Sequence, residues 1–177
     1  MIIINVGLIL FVIFLLIILS CVWPPDSPWS PWWRTSAKKA KAAAKLAGIS
    51  SKDVVYELGS GDATFLVTIA KNFGAKCFGI EIDPVRHYTA WLNVFINKVG
   101  KKVILKRGNL FDYKLNDATI VFVYLVPRVL EKLKPKLFKE LRKGAKIISY
   151  RYKFKEDSKI KLIGSDKKNE MYLYKIT

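Results

Sequence analysis

Cysteine and histidine are nearly absent from this chain: Cys21, Cys77 and His87 are all that 177 residues contain. Two cysteines, one in an apolar run and one in a strand-like run, do not make a disulfide framework and point to a reducing compartment. A lone histidine with no Cys/His cluster argues against zinc, and no metal is expected. Acids are scarce too, 14 against 31 Lys and Arg, for a formal net charge of +17. Such a field attracts anionic lipids, nucleic acids or acidic protein faces and carries no information about fold. There is no internal repeat, so the length fits one compact domain with an appendage.

Charge is missing altogether from Ile2 to Val22. As a helix this run would span about 31 Å, close to the hydrocarbon thickness of a bilayer. Pro24 and Pro25 would stop it, and Trp23, Trp29, Trp32 and Trp33 follow where an interfacial aromatic belt would lie. No Lys or Arg precedes the run, whereas Arg34, Lys38, Lys39, Lys41 and Lys45 come after it, with no acid between Ser27 and Lys52. The positive-inside rule then predicts a single-pass membrane protein with its C-terminal domain in the cytoplasm. A cleaved signal peptide is the rival, but it would need a basic start and a shorter apolar core.

Beyond a Pro/Ser/Trp linker over Pro24 to Trp33, the pattern alternates. Thr35 or Ser36 caps an Ala/Lys-rich helix from Ala37 to Ala47, closed by Gly48. Strands are expected at Asp53–Leu58, Lys76–Ile82, Val103–Lys106, Thr119–Leu125 and Lys146–Phe154. Helices are expected at Ala63–Phe73, Pro84–Val99 and Pro127–Arg142. Lys159–Ile163 and Met171–Ile176 flank Gly164-Ser165-Asp166 and read as a closing hairpin. The fold class is therefore α/β, a doubly wound, mostly parallel sheet with helices on both faces and an antiparallel C-terminal hairpin.

Three segments carry chemistry. Tyr56-Glu57-Leu58-Gly59-Ser60-Gly61-Asp62-Ala63 joins the first strand to the first helix of the sheet. Side chains at Gly59 and Gly61 would block a ligand lying against the backbone, and the helix start beyond offers unpaired N–H groups. Glu81-Ile82-Asp83-Pro84 ends the second strand about twenty residues later, where an acid reaches the ribose hydroxyls of a bound nucleoside. A solvated or helix-capping carboxylate is the plainer reading of Glu81. Gly108-Asn109-Leu110-Phe111-Asp112 follows the third strand. Thr64 stands where a dinucleotide-binding turn has its third glycine, which disfavours a nicotinamide-dependent oxidoreductase.

Glu57-x-Gly59-x-Gly61 resembles the turn of class I, Rossmann-like, S-adenosylmethionine-dependent methyltransferases. With Tyr124-Leu125-Val126-Pro127, Lys143-Gly144-Ala145 and Arg151-Tyr152-Lys153-Phe154, the chain from Trp33 to Phe154 is similar to small membrane-anchored protein-lysine methyltransferases. These are related to the ATP synthase c-subunit lysine methyltransferase. The resemblance implies S-adenosylmethionine as cofactor, bound by Glu57, Gly59, Ser60, Gly61, Asp62, Glu81, Ile82 and Asn109. Glu57 or Asp62 would orient the amino-acid moiety, and Asn109 would contact the adenine. Tyr124 would line the substrate channel, with Trp33 and Thr35 closing it as a lid. Departures from the family pattern are Ala63, where relatives often carry glycine, and a loose match at Trp33-Arg34-Thr35-Ser36. The expected organisation is an anchor over 1–23, a linker and lid helix over 24–52, and the methyltransferase domain over 53–177.

The expected substrate is a lysine side chain of a protein, one in the membrane being favoured by the anchor. Two other functions compete. A nucleic-acid methyltransferase would use the positive charge, but the chain lacks an Asn-Pro-Pro-Tyr type motif and a catalytic cysteine context around Cys77. A non-catalytic module that binds S-adenosylmethionine at the membrane would explain Ala63 as the mark of a decayed site.

Overall fold

A computed structural model describes residues 2–22 and 33–177, with side chains along the first helix described over residues 6–19. The elements run α1 (Ile2–Val22), α2 (Ala37–Ala47), β1 (Val54–Leu58), α3 (Thr64–Phe73), β2 (Lys76–Glu81) and α4 (Pro84–Ile96). They continue β3 (Val103–Arg107), β4 (Ile120–Val123), α5 (Pro127–Glu140), β5 (Lys146–Tyr150), β6 (Ile160–Asp166) and β7 (Met171–Ile176). Residues 23–32, with Trp23, Trp29, Trp32 and all of the expected linker except Trp33, lie outside the described residues. Among the described residues no helix is long and apolar enough to cross a membrane.

The seven strands form one sheet in the order β3-β2-β1-β4-β5-β7-β6. β1 to β5 are mutually parallel, and β7 enters antiparallel between β5 and β6. The strand order switches sides at β1, with β2 and β3 on one side and β4 and β5 on the other, so the crevice beyond the C-terminal ends of β1 and β4 is where an open α/β sheet takes a ligand.

Alternation along the strands builds two cores. Val55, Ile120 and Phe122 face α2, α3 and the inner side of α4. Leu58, Val121 and Val123 face α5. Phe65 of α3 stacks on Phe122 with ring centroids 3.9 Å apart; burial of each ring is worth about 2–3 kcal/mol. Gly79 in β2 sets how closely α3 can sit. A Cβ there would lie 2.6 Å from Leu66 Cδ1 and 2.9 Å from Leu105 Cδ2.

Helix ends follow local chemistry. Ser36 caps α2 by accepting from the Lys39 N–H, and Gly48 closes it in the left-handed region. α4 ends at Ile96 rather than running to Val99, because Asn97 caps it and Lys98 turns left-handed with φ +56°. β5 likewise stops at Tyr150, four residues short of the expected Phe154, where Arg151 takes φ +70°. The hairpin turn lies later than expected. Gly164-Ser165-Asp166 belongs to β6 beside a bulge between Leu162 and Gly164, and the chain reverses over residues 167–170. There Asp166 accepts from the Asn169 N–H at 3.0 Å, a local side-chain bond that supplies the turn.

Candidate cofactor and substrate site

The glycine turn is held to the next strand by its backbone. The N–H groups of Gly59 and Ser60 both donate to the Ile80 carbonyl, at 2.9 and 3.0 Å. Gly59 and Gly61 have φ of +80° and +52°, a conformation that an L side chain strains to adopt. Ala63 shares it at φ +58°, although it carries a Cβ, and is fully buried ahead of α3. Asn93 of α4 donates to the Asp62 carbonyl at 2.8 Å and fixes the far end of the turn.

Glu81 binds this turn to the start of α4. One carboxylate oxygen accepts from Gly61 N at 2.8 Å, the other from Asp83 N at 3.0 Å. Asp83 in turn caps α4 by accepting from Arg86 N. Burial pushes the Glu81 carboxyl above the ordinary carboxylate range, opposed by those two N–H groups and by Arg86.

Glu57 lies on the same face of β1 as Val55. It is buried, and its Oε2 has no hydrogen-bond partner. Burial first, then the neighbouring charges of Asp62 and Glu81, hold its carboxyl well above the usual range. The Ser60 hydroxyl is also buried without a partner, turned toward Gly79. Orphaned buried polar atoms cost free energy unless a ligand satisfies them. Three carboxylates meeting under a glycine turn therefore fit a cationic ligand bearing hydroxyls, which is what S-adenosylmethionine is.

Of the remaining expected residues, Ile82 is half-buried directly after β2. Asn109 stays at the mouth, linked through Gly108 N, which donates to the Glu81 carbonyl at 2.9 Å. Its side chain is exposed and accepts from Phe111 N at 3.1 Å, so it closes its own turn instead of meeting the acids. Tyr124 follows β4 and packs on Tyr150, ring centroids 4.3 Å apart. Thr35 is buried and Trp33 is 56% exposed.

Sequence reasoning did not place Arg34 or Arg151 in the site, yet these two arginines draw its parts together. Arg34 Nε pairs with Asp62 at 2.6 Å and its guanidinium donates to Thr64 Oγ1. Arg151 lies over the Trp33 ring, 5.4 Å from its centroid, and donates to the Tyr124 hydroxyl at 3.3 Å. The segment ahead of α2 thus spans from the glycine turn to the end of β4. The Arg151-Tyr152 pair after β5 was visible as part of a motif, but only the left-handed turn at Arg151 aims its side chain back across the crevice.

A doubly wound sheet with this order, a glycine turn after β1 and an acid ending β2 defines a class I S-adenosylmethionine-dependent methyltransferase. The profile of the ANTKMT methyltransferase domain matches residues 57–161, and the chain belongs to that family. It is 33% identical over 153 residues to a protein-lysine N-methyltransferase of Saccharolobus islandicus (strain REY15A), covering 84% of this chain and 95% of that protein. It is also 33% identical over 99 residues to the mouse adenine nucleotide translocase lysine N-methyltransferase, 55% of this chain and 43% of that one. Among solved structures it resembles an RNA methyltransferase from Salinibacter ruber in complex with S-adenosyl-L-homocysteine. That match has a TM-score of 0.73 and 30% identity, over 82% of this chain and 93% of the other. The protein is an S-adenosylmethionine-dependent methyltransferase.

Proposed function

We propose that the chain methylates the side-chain amine of lysine in a protein at a membrane surface. The observation that carries this reading is the aromatic surround at the end of β4. Trp33, Tyr124 and Tyr150 gather there, and cations already lie on two of the rings, Arg151 over Trp33 and Lys39 over Tyr150. Aromatic faces attract alkylammonium groups, and the 33% identical relative that matches most of the chain carries the name protein-lysine N-methyltransferase.

When bound, S-adenosylmethionine supplies an electrophilic methyl group on a positively charged sulfur. Glu81 would hold the ribose, Glu57 or Asp62 would orient the amino-acid end, and Asn109 would lie toward the base. Ile82, Gly59, Ser60 and Gly61 complete the cradle. Tyr124 lines the channel to the amine, and Trp33 and Thr35 exclude water from above. Positioning of nucleophile and methyl in line supplies much of the rate. A lysine amine must be neutral to attack, and its ordinary pKa is about 10.4. Desolvation among rings favours the neutral form, so its proton can leave to water without a dedicated base.

Although no helix among the described residues is long and apolar enough to cross a membrane, the sequence carries no charge from Ile2 to Val22. This supports the reading of residues 1–23 as a membrane anchor, followed by a linker and lid helix over 24–52 and the catalytic domain over 53–177 in the cytoplasm. A second reading, methylation of RNA, is favoured by the name of the Salinibacter relative and by the charge of +17. Purified full-length protein with methyl-labelled S-adenosylmethionine, offered membrane fractions and total RNA in parallel, separates the two. Label on protein lysines is expected; label in RNA alone defeats the lysine reading.

A further inference from the structure

α4 has two apolar faces where a surface helix needs one. Ala90 and Val94 point inward and are buried. On the opposite side Tyr88, Trp91, Phe95 and Ile96 stand out at 61%, 51%, 68% and 71% exposure. The three rings form a continuous ladder, Tyr88 to Trp91 at 6.2 Å and Trp91 to Phe95 at 5.6 Å between centroids, with planes within 19° of parallel. Their spacing of three and four residues puts them in one line along the helix. An outer face of this kind is normally polar, and a rimmed apolar patch marks an interaction surface.

Charge and position identify the partner. No acid occurs between Asp83 and Asp112, while Lys98, Lys101, Lys102, Lys106 and Arg107 are exposed at the end of α4 and along the edge strand β3. The uncharged helix α1 comes within 8 Å of α4 between Cα atoms. Tyr and Trp rings favour the headgroup zone of a bilayer, and flanking cations favour anionic lipid.

We propose that the Tyr88-Trp91-Phe95-Ile96 ridge of α4 inserts into the headgroup layer of an anionic bilayer and lays the domain down on its β3 edge. This rests on the reading of α1 as an anchor and adds an orientation to it. α4 is capped by Asp83, whose N–H donates to Glu81, so the helix that carries the docked face starts beside the cofactor crevice. A domain so held meets lysines close to the membrane surface and not those on long soluble extensions.

The test uses the full chain with Cys21→Ala, in phosphatidylcholine vesicles with and without phosphatidylglycerol. Cys77 is buried and stays. A fluorescent NBD label is placed through Phe95→Cys in one preparation and through exposed Lys168→Cys, on the far edge of the sheet, in another. Flotation with the vesicles is expected for both. Nitroxide-labelled lipid should quench position 95 at least about twofold more than position 168, more strongly with phosphatidylglycerol present. Failure to float removes the anchor and the ridge together. Flotation with equal quenching at 95 and 168 leaves the anchor standing and removes the ridge. A blue shift at 95 produced by an RNA oligonucleotide or by raised protein concentration, without lipid quenching, also overturns it in favour of that other occupant.

Discussion

Arg34 Nε stands 2.6 Å from Asp62 Oδ2, so the segment ahead of α2 is tied directly to the glycine turn between β1 and α3. The arginine is 61% exposed, and an ion pair this open to solvent is worth no more than about 1 kcal/mol. It can therefore break and reform as ligand passes. Arg34→Ala should weaken S-adenosylmethionine binding by up to about fivefold while leaving the melting temperature nearly unchanged. Calorimetry and thermal denaturation on the same preparation check this. A large loss of melting temperature with unaltered affinity would make the contact purely structural.

The Glu57 carboxyl is held far above its ordinary range in the folded state by burial and by Asp62 and Glu81. From its unfolded value up to that raised value, the folded protein binds the extra proton. Ligand-free stability contributed by this group is thus complete below the unfolded pKa and is lost as pH rises through the folded one. A cationic ligand favours the ionised form, so cofactor affinity should rise with pH over the same window. Glu57→Gln should flatten both trends. Melting curves with and without S-adenosylmethionine from about pH 5 to about pH 8 read the difference.

Glu81 accepts two backbone N–H bonds and would also receive the ribose. Glu81→Gln keeps the shape but removes the charge and turns an amide against one of those donors. A loss of about tenfold or more in cofactor affinity is expected, with about 1–3 kcal/mol of stability. Equilibrium dialysis and urea unfolding separate the two effects. Affinity equal to the parent chain would remove Glu81 from the cofactor site.

Tyr124 distinguishes cofactor from substrate. Tyr124→Ala should retain S-adenosylmethionine binding and lower kcat by about a hundredfold, the scale on which misplacement of reacting groups is felt. Tyr124→Phe keeps the packing on Tyr150 and loses only the contact to Arg151, so a milder effect is expected. Single-turnover methylation assays decide. Unchanged turnover in the alanine variant would take Tyr124 out of the channel.

Gly79→Ala tests the seat of the whole turn. The added methyl would fall 2.6 Å from Leu66 Cδ1 and 2.8 Å from the Ser60 hydroxyl. Overpacking of this kind costs about 1–3 kcal/mol, measurable as a shift of the urea midpoint. Because Ser60 must move, cofactor affinity should fall as well.

Much of this was legible in the sequence. The short apolar runs that became β1 and β4, and the caps at Ser36 and Gly48, are local signals, and each places its element to within a residue or two. Glu57, Gly59, Gly61 and Glu81 were legible for the same reason: a glycine turn and a strand-end acid sit close together in the chain. What was hidden depends on left-handed residues other than glycine. Lys98 shortened α4, and Arg151 ended β5 and swung its guanidinium onto Trp33, neither residue type announcing such a φ. The outward ladder of α4 was hidden too. Tyr88, Phe95 and Ile96 recur at helical spacing, and periodicity gives a face without saying which way it points.

The α2 helix is fastened at its far end as well as capped at its near end. Lys146 of β5 donates its ammonium to the Ala47 carbonyl at 2.6 Å, and Ala40, Ala43, Ala44 and Ala47 bury one whole side of the helix. A helix faced with alanine sits low on the sheet, and the lysine bolts its trailing end to a central strand. Load that passes along the chain into α2 is therefore shared with β5. The short piece from Trp33 to Ser36 is held as well, by Arg34 on Asp62 and Thr64, so the N-terminal side of the chain and the glycine turn are mechanically joined.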